Sequence, residues 1–416
     1  MLFRYFYRGM CLLFLVSCSS VDRTIYLDYA ASASINKKAL EKFDDVSCLD
    51  GNSSGFNHHA KVLLEIENQA AQVIAKKINA KPSQIVFTNN ATMSSNIAIL
   101  GVARQYPGCH MITSKIEHKG MLGIFEYLES VGHRISYLDV DRFGNVNLEQ
   151  LSKSVEKNTR LISIQTFNSE IGTMQNIGAI GKIAKKHGVL FHSDASQSFG
   201  KYDIDVEALN IDLLTISGYK IGAPKGIAAL YVRDKNRLKP IVFGSGDPFF
   251  PGTKSTALIA SFAEAVKYFR FDTAKISENF HILASELSKI DDVYINSSTP
   301  SHVLSVSIGG VQLKDVLERM KNYSFSAGCS CLGQGKSNVT QAIDPDGKLP
   351  SCTLRISFSD RVKSADLVAF VKNLQKAICQ LRRMKSVGAG CQSKESQNDL
   401  NESLKAIRSA LASSKK

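Results

Sequence analysis

From residue 85 onward the chain alternates short apolar, β-branched runs with longer stretches whose apolar positions recur every three or four residues. The first pattern predicts strands over 85–88, 111–114, 134–138, 160–167, 189–193 and 212–216, and the second predicts intervening helices, among them 120–131 and 177–187. Such helices are long enough to cross back over a sheet, so the strands are expected to run parallel, with right-handed crossovers. A further apolar run at 226–232, reached through the turn at Gly222, Ala223 and Pro224, adds a seventh strand beside 212–216. The fold class is therefore α/β, with a seven-stranded, mostly parallel sheet flanked by helices.

The pattern then changes. Helical stretches at 255–268 and 275–290 lead to alternating strands at 302–308 and 352–358, with helices at 314–321 and 364–381. This predicts a large domain over 25–270 and a smaller α+β domain over 271–384. The tail, 385–416, is polar and basic, with helical spacing only at 398–411.

The segment 1–24 reads differently. After Arg4 and Arg8 an apolar run at 10–16 ends at Ser17 and Cys18, which reads as an upstream extension of the chain, with a lipoprotein signal whose cysteine is lipidated as the alternative. The run is too short to span a bilayer. Membrane attachment is thus expected only through Cys18. The nine cysteines lack framework spacing, which points to a reducing, cytoplasmic compartment.

A composition of 44% hydrophobic and 21% charged residues is that of a soluble globular chain and excludes global disorder or a membrane bundle. Net charge is +13, and residues 381–416 carry eight Lys or Arg against three acids. Elsewhere the basic residues are spread thinly, without the aromatic-interleaved patch of a nucleic-acid surface, so nucleic acid is not expected as the main partner. Diffuse positive charge suits anionic ligands or acidic proteins.

In a parallel sheet the ligand site lies beyond the carboxyl ends of the strands. The 189–193 run is followed by Asp194, Ala195, Ser196 and Gln197, and the 212–216 run by Ser217, Gly218, Tyr219 and Lys220. An acid and a lysine so placed can form a salt bridge. They are also what pyridoxal phosphate requires: a lysine for the Schiff base and an acid to keep the pyridine nitrogen protonated. The stretch from Thr88 through Asn89, Asn90 and Ala91 to Thr92 joins a strand to a helix, where backbone N–H groups and the helix dipole can bind phosphate. Thr92 can add its hydroxyl or serve only as a cap. The 111–114 strand leads through Lys115, Ile116 and Glu117 to His118, a candidate for proton transfer above the ring.

Over 25–384 the chain resembles the class V aminotransferase group of pyridoxal-phosphate enzymes (fold type I), most closely the cysteine desulfurases of iron–sulfur cluster assembly. The resemblance is carried by Tyr26-Leu27-Asp28-Tyr29-Ala30-Ala31, Gly51-Asn52 with His58, Ala91-Thr92, Thr113-Ser114-Lys115 and Glu117-His118-Lys119. It continues through Asn168, Glu170-Ile171-Gly172, Asp194 with Gln197-Ser198, Ser217-Gly218 with Lys220, and Pro224-Lys225-Gly226. It implies that Lys220 anchors the cofactor, Asp194 meets the pyridine nitrogen, His118 stacks on the ring and Gln197 contacts the phenolic oxygen. Thr92, Ser217, Tyr219 and the Ala91 backbone would hold the phosphate. Thr253 would reach it from the other subunit of a homodimer.

The resemblance further implies that Cys331, in Ser326-Ala327-Gly328-Cys329-Ser330-Cys331, receives sulfur from L-cysteine as a persulfide. A metal pair or inert thiols are the alternatives for Cys329 and Cys331. Asn168, Ser169 and Arg355 would bind substrate, with Arg355 gripping its carboxylate; a surface ion pair is the alternative for Arg355. Alanine would be the product and an iron–sulfur scaffold or other acceptor protein the sulfur's destination. No resident metal is expected, although Cys331 could share a transferred cluster.

Five positions, at four places in the chain, depart from the desulfurase pattern. Ser169 replaces an asparagine, Tyr219 a histidine, Met93 an acid, and Phe250-Pro251 an Arg-Ser pair. They motivate two other readings: a pyridoxal-phosphate lyase or transaminase for another amino acid, such as a selenocysteine lyase, and a non-catalytic homologue acting as a binding or assembly subunit.

Overall fold

The computed structural model describes residues 24–327 and 337–388. Cys18, Cys329, Cys331 and the 398–411 stretch lie outside them. After β1 (Ile25–Tyr26), the large sheet is built from β2 (Ile85–Thr88), β3 (His110–Ser114), β4 (Arg134–Leu138), β5 (Thr159–Ser163), β6 (Leu190–Asp194), β7 (Leu213–Ser217) and β8 (Ala228–Val232). The C-terminal part adds β9 (Val293–Ile295), β10 (Val303–Ile308), β11 (Tyr323–Ser324), β12 (Ser326–Ala327) and β13 (Cys352–Ser357).

The seven-stranded sheet has the order β2-β8-β7-β6-β5-β3-β4. The ladder from β4 to β7 is parallel, and β8 runs against both β7 and β2. Alternate side chains feed two apolar layers. Ile112, Ile162, Phe191 and Leu214 enter one, while Met111, Leu161, Leu190 and Leu213 enter the other. Both faces are therefore covered, which is why the strand sequences read as continuous apolar runs. The expected strand at 160–167 is longer than β5, yet its bonding to β6 continues, with Ile164 N donating to His192 O and Thr166 N to Asp194 O.

A four-stranded antiparallel sheet, β12-β13-β10-β9, packs with the helices Thr273–Leu287 and Ser364–Gly388 around a separate core that includes Phe280, Leu304, Ile356 and Phe370. Here one expectation needs correction. Residues 25–28, placed with the large domain from sequence, pair with the second unit: β1 lies parallel to β11, Asp28 bridges Ser357, and Leu27 is fully buried in the second core. An apolar Leu27 gains more by entering that core than by remaining on the sheet's rim.

Candidate active site

The carboxyl ends of β6 and β7 lie side by side. Asp194 closes β6, where its Oδ1 accepts from Ser196 N at 2.8 Å. Ser217 closes β7 and is followed by a single 3₁₀ turn, Tyr219–Ile221, that presents Lys220. Gly222 ends this turn in the left-handed region, φ +86°, and a Cβ there would come within 2.9 Å of Ser34 O. Lys220 is buried, and its Nζ donates to Ala30 O and, at 3.0 Å, to Ala31 O. It does not pair with Asp194, so the strand-end acid and lysine are not a salt bridge. Burial, reinforced by the nearby Arg355 charge, lowers the Lys220 amine to about 8, with Asp28 and Asp194 opposing.

The helix Ala91–Gln105 starts at the same rim. Its cap is Asn90, whose Oδ1 accepts from Met93 N at 2.8 Å. Thr92 is therefore not the cap, and its hydroxyl is left to face the cavity. The N–H groups of Ala91 and Thr92 stand in the first turn, ahead of any intrahelical carbonyl. His118 caps the helix Lys119–Ser130, its Nδ1 accepting from Gly120 N at 3.1 Å. That bond assigns the neutral ring's proton to Nε2. A Cβ on Gly120 would stand 3.2 Å from His118 Nδ1, so glycine lets the ring lie close to the turn.

Arg355, on β13, is 3% exposed. Its Nη2 lies 2.8 Å from Asp28 Oδ1, its Nη1 donates to Ser169 O at 3.2 Å, and its Nε has no protein partner among the described residues. The alternative of a surface ion pair is thus replaced by a buried pair whose Nε donor is left without a protein partner among the described residues. Lys220 and Arg355 border a common cavity of about 440 Å³, as do Ala91, Thr92, His118 and Asp194. Gln197, Ser217, Tyr219 and Ser169 complete its predicted lining.

The class-V aminotransferase model matches residues 25–370. The chain belongs to this family. It is 36% identical over 383 residues to the cysteine desulfurase IscS of Neisseria gonorrhoeae, covering 88% of this chain and 95% of that one. The Pseudomonas aeruginosa IscS (strain LESB58) is 34% identical over 382 residues, covering 86% and 94%. Among solved structures, SspA in complex with cysteine matches with TM-score 0.72 and 36% identity over 80% of this chain and 99% of that one. A NifS-like protein matches with TM-score 0.80 and 25% identity over 86% and 100%.

Pyridoxal phosphate is the cofactor of this member of the class-V aminotransferase family, and the residues present fit it. The buried Gln197 Oε1 and Ser196 Oγ border the cavity without a protein partner among the described residues, as expected of groups that face a polar ligand. The lysine, the acid and the hydroxyl and N–H cradle all border one cavity.

Two predicted residues, Asn168 and Thr253, do not border this cavity. Asn168 is buried behind its wall: Nδ2 donates to Ile116 O at 3.0 Å, and Oδ1 accepts from Glu170 N and Ile171 N at 2.8 and 2.9 Å. With both ends of its amide committed, Asn168 shapes the turn beside Ser169 and does not border the cavity. Thr253 is exposed on the loop before the helix Thr256–Tyr268 and does not border the cavity. Cys331 lies outside the described residues.

Sequence reasoning assigned no role to four groups that matter. The Ala30 and Ala31 carbonyls hold Lys220, and Asp28 holds Arg355. Glu170 borders the cavity with a carboxyl that burial raises to about 7. Asp28, Ala30 and Ala31 stand in one of the stretches that carry the family resemblance, and that was the available signal.

Proposed function

We propose that the chain is a pyridoxal-phosphate-dependent cysteine desulfurase, converting L-cysteine to L-alanine and leaving the sulfur as a persulfide on Cys331. The observation that carries this reading is the convergence of Lys220 and Arg355 on one cavity. An amine that is partly neutral near physiological pH faces the same space as a buried guanidinium with a spare donor, which suits an α-amino acid held by its carboxylate.

When bound, the cofactor supplies an electron sink for carbanion chemistry at the substrate α-carbon. Asp194 would hold its ring nitrogen, Gln197 its phenolic oxygen, and Thr92, Ser217, Tyr219 and the Ala91 N–H its phosphate. Arg355 fixes the substrate carboxylate. Lys220 carries the α-proton on Nζ, and His118 exchanges a proton at Nε2 near the substrate thiol. The Cys331 thiolate attacks the substrate sulfur; an S–S bond forms, the C–S bond breaks, and the bonding pair stays with the carbon skeleton, which is protonated to alanine.

Ser169 contacts Arg355 through its backbone carbonyl, so replacing the usual asparagine side chain leaves that contact intact. The departure at Ser169 therefore leaves the carboxylate grip unaltered. The solved relative bound to cysteine supports the same substrate. By the family resemblance each subunit of a homodimer would complete the other's phosphate site with Thr253, which is exposed and so available to a partner. The persulfide passes to an acceptor protein such as an iron–sulfur scaffold. Cys48, Cys109, Cys352 and Cys379 are free thiols, which supports a reducing, cytoplasmic setting. Among the described residues no helix is long and apolar enough to cross a membrane; attachment through a lipidated Cys18 is the second reading.

The test is product analysis of the cofactor-loaded protein with L-cysteine. Alanine and sulfide in equal amounts are expected from the wild type with a thiol reductant. Cys331→Ala should retain the cofactor and lose sulfur transfer. A keto acid product, or full sulfur transfer by the Cys331 variant, would contradict the assignment.

A further inference from the structure

The turn that presents His118 has no regular secondary structure, yet each of its last three carbonyls is held by a side-chain amide. Ile116 O accepts from Gln165 Nε2 at 2.6 Å and from Asn168 Nδ2 at 3.0 Å. Lys115 O and Glu117 O, on either side, both accept from Asn338 Nδ2, at 3.0 and 3.1 Å. The two N–H bonds of one amide nitrogen thus match two carbonyls, which fixes the orientation of the Asn338 side chain on chemical grounds. The Glu117 carboxyl group locks the same turn, with Oε1 accepting from Ser114 Oγ at 2.6 Å and both oxygens lying 3.1 Å from Gln165 N.

Asn338 is itself held firmly. It begins the short helix Asn338–Ile343, which Ser337 caps by accepting from Thr340 N at 3.0 Å. Val339 and Ile343 pack that helix against Ile116 and Ile171 of the large domain. The helix is therefore seated on the turn by apolar contact, and the Asn338 amide converts that seating into a defined position for residues 115–117.

We infer that Asn338 is a positioning residue for His118, clamping the Lys115 and Glu117 carbonyls so that the imidazole is held over the cofactor site. The inference rests on the reading of His118 as a group beside the bound cofactor. Gln165 and Asn168 hold the middle carbonyl from the sheet side, and Asn338 holds the outer two from the helix that follows the Cys331 segment. Of these three amides it is the one supplied by the C-terminal part of the chain. That helix therefore meets the turn before His118 through the Asn338 amide as well as through the apolar seat on Ile116.

Three variants test it: Asn338→Asp, nearly isosteric but placing oxygen lone pairs against both carbonyls, Asn338→Ala, and Val339→Ala as a packing control. Asn338→Asp should lower kcat about tenfold while KM moves less than about threefold, because an effect confined to the chemical step does not alter ground-state binding. It should also change the visible circular dichroism of the bound cofactor and speed amide exchange in the cofactor-free peptide spanning 115–120. Asn338→Ala should do the same more weakly. Val339→Ala should lower Tm while leaving kcat and the dichroism unchanged.

Wild-type kcat and dichroism in both Asn338 variants, or an equal kcat loss in Val339→Ala, would overturn the inference. Should the wild type yield no alanine from cysteine, the functional reading fails by itself, and the dichroism and exchange measurements still decide the role of Asn338.

Discussion

Asp28 Oδ1 accepts from Arg355 Nη2 at 2.8 Å, across 327 residues of chain. The pair joins the start of the described chain to the last strand of the second sheet and orients the guanidinium that faces the cavity. Asp28 Oδ2 accepts in turn from Ser326 Oγ at 2.7 Å, so the carboxylate is anchored at both oxygens. Removing one member of a buried pair typically costs about 3–5 kcal/mol, because the other charge is left uncompensated. Asp28→Asn should therefore lower Tm and, by releasing Arg355, raise KM for L-cysteine more than it lowers kcat. Thermal melts and steady-state kinetics on one preparation check both effects.

Lys220 gives a pH prediction for cofactor uptake. Burial and the Arg355 charge lower its amine to about 8, and the neutral amine is the form that attacks a carbonyl carbon. Uptake by the cofactor-free protein, followed by the growth of visible absorbance, should accelerate as pH rises through about 8 and level off above it. Arg355→Gln removes a neighbouring positive charge and should move that midpoint upward. A rate independent of pH across this range would show that Lys220 does not limit uptake.

The acid limb of stability should depend on His192. Its ring is fully buried between β5 and β7, with Nδ1 2.8 Å from Ser163 Oγ and Nε2 3.0 Å from Thr215 Oγ1, and burial lowers its pKa to about 3. The folded chain thus keeps His192 neutral, whereas an unfolded histidine protonates near pH ~6.5. The stability from this group is present above that value and is lost as pH falls from about 6.5 toward 3, at up to roughly 1.4 kcal/mol per pH unit. His192→Gln should flatten this dependence. Urea titrations at mildly acidic and neutral pH measure the slope.

What the sequence made legible was local. Strand periodicity located the seven sheet strands, and the residues following two of them, Asp194 and Lys220, could be read as a site because sheet geometry dictates where strand ends point. Through-space relationships were not legible. Nothing near Asp28 in sequence indicates that it serves Arg355, and nothing near Asn168 that both ends of its amide are occupied. The β1 pairing with β11 was hidden for the same reason: two residues carry no periodicity, and a parallel partner some 300 positions away leaves no local mark.

The central claim is that Lys220 anchors the cofactor, and peptide mapping after borohydride reduction of the cofactor-loaded protein tests it most directly. Reduction should fix a pyridoxyl mass on the peptide containing Lys220, and Lys220→Ala should lose both that label and the visible absorbance. A label on another lysine, or undiminished absorbance in the Lys220 variant, would contradict the account.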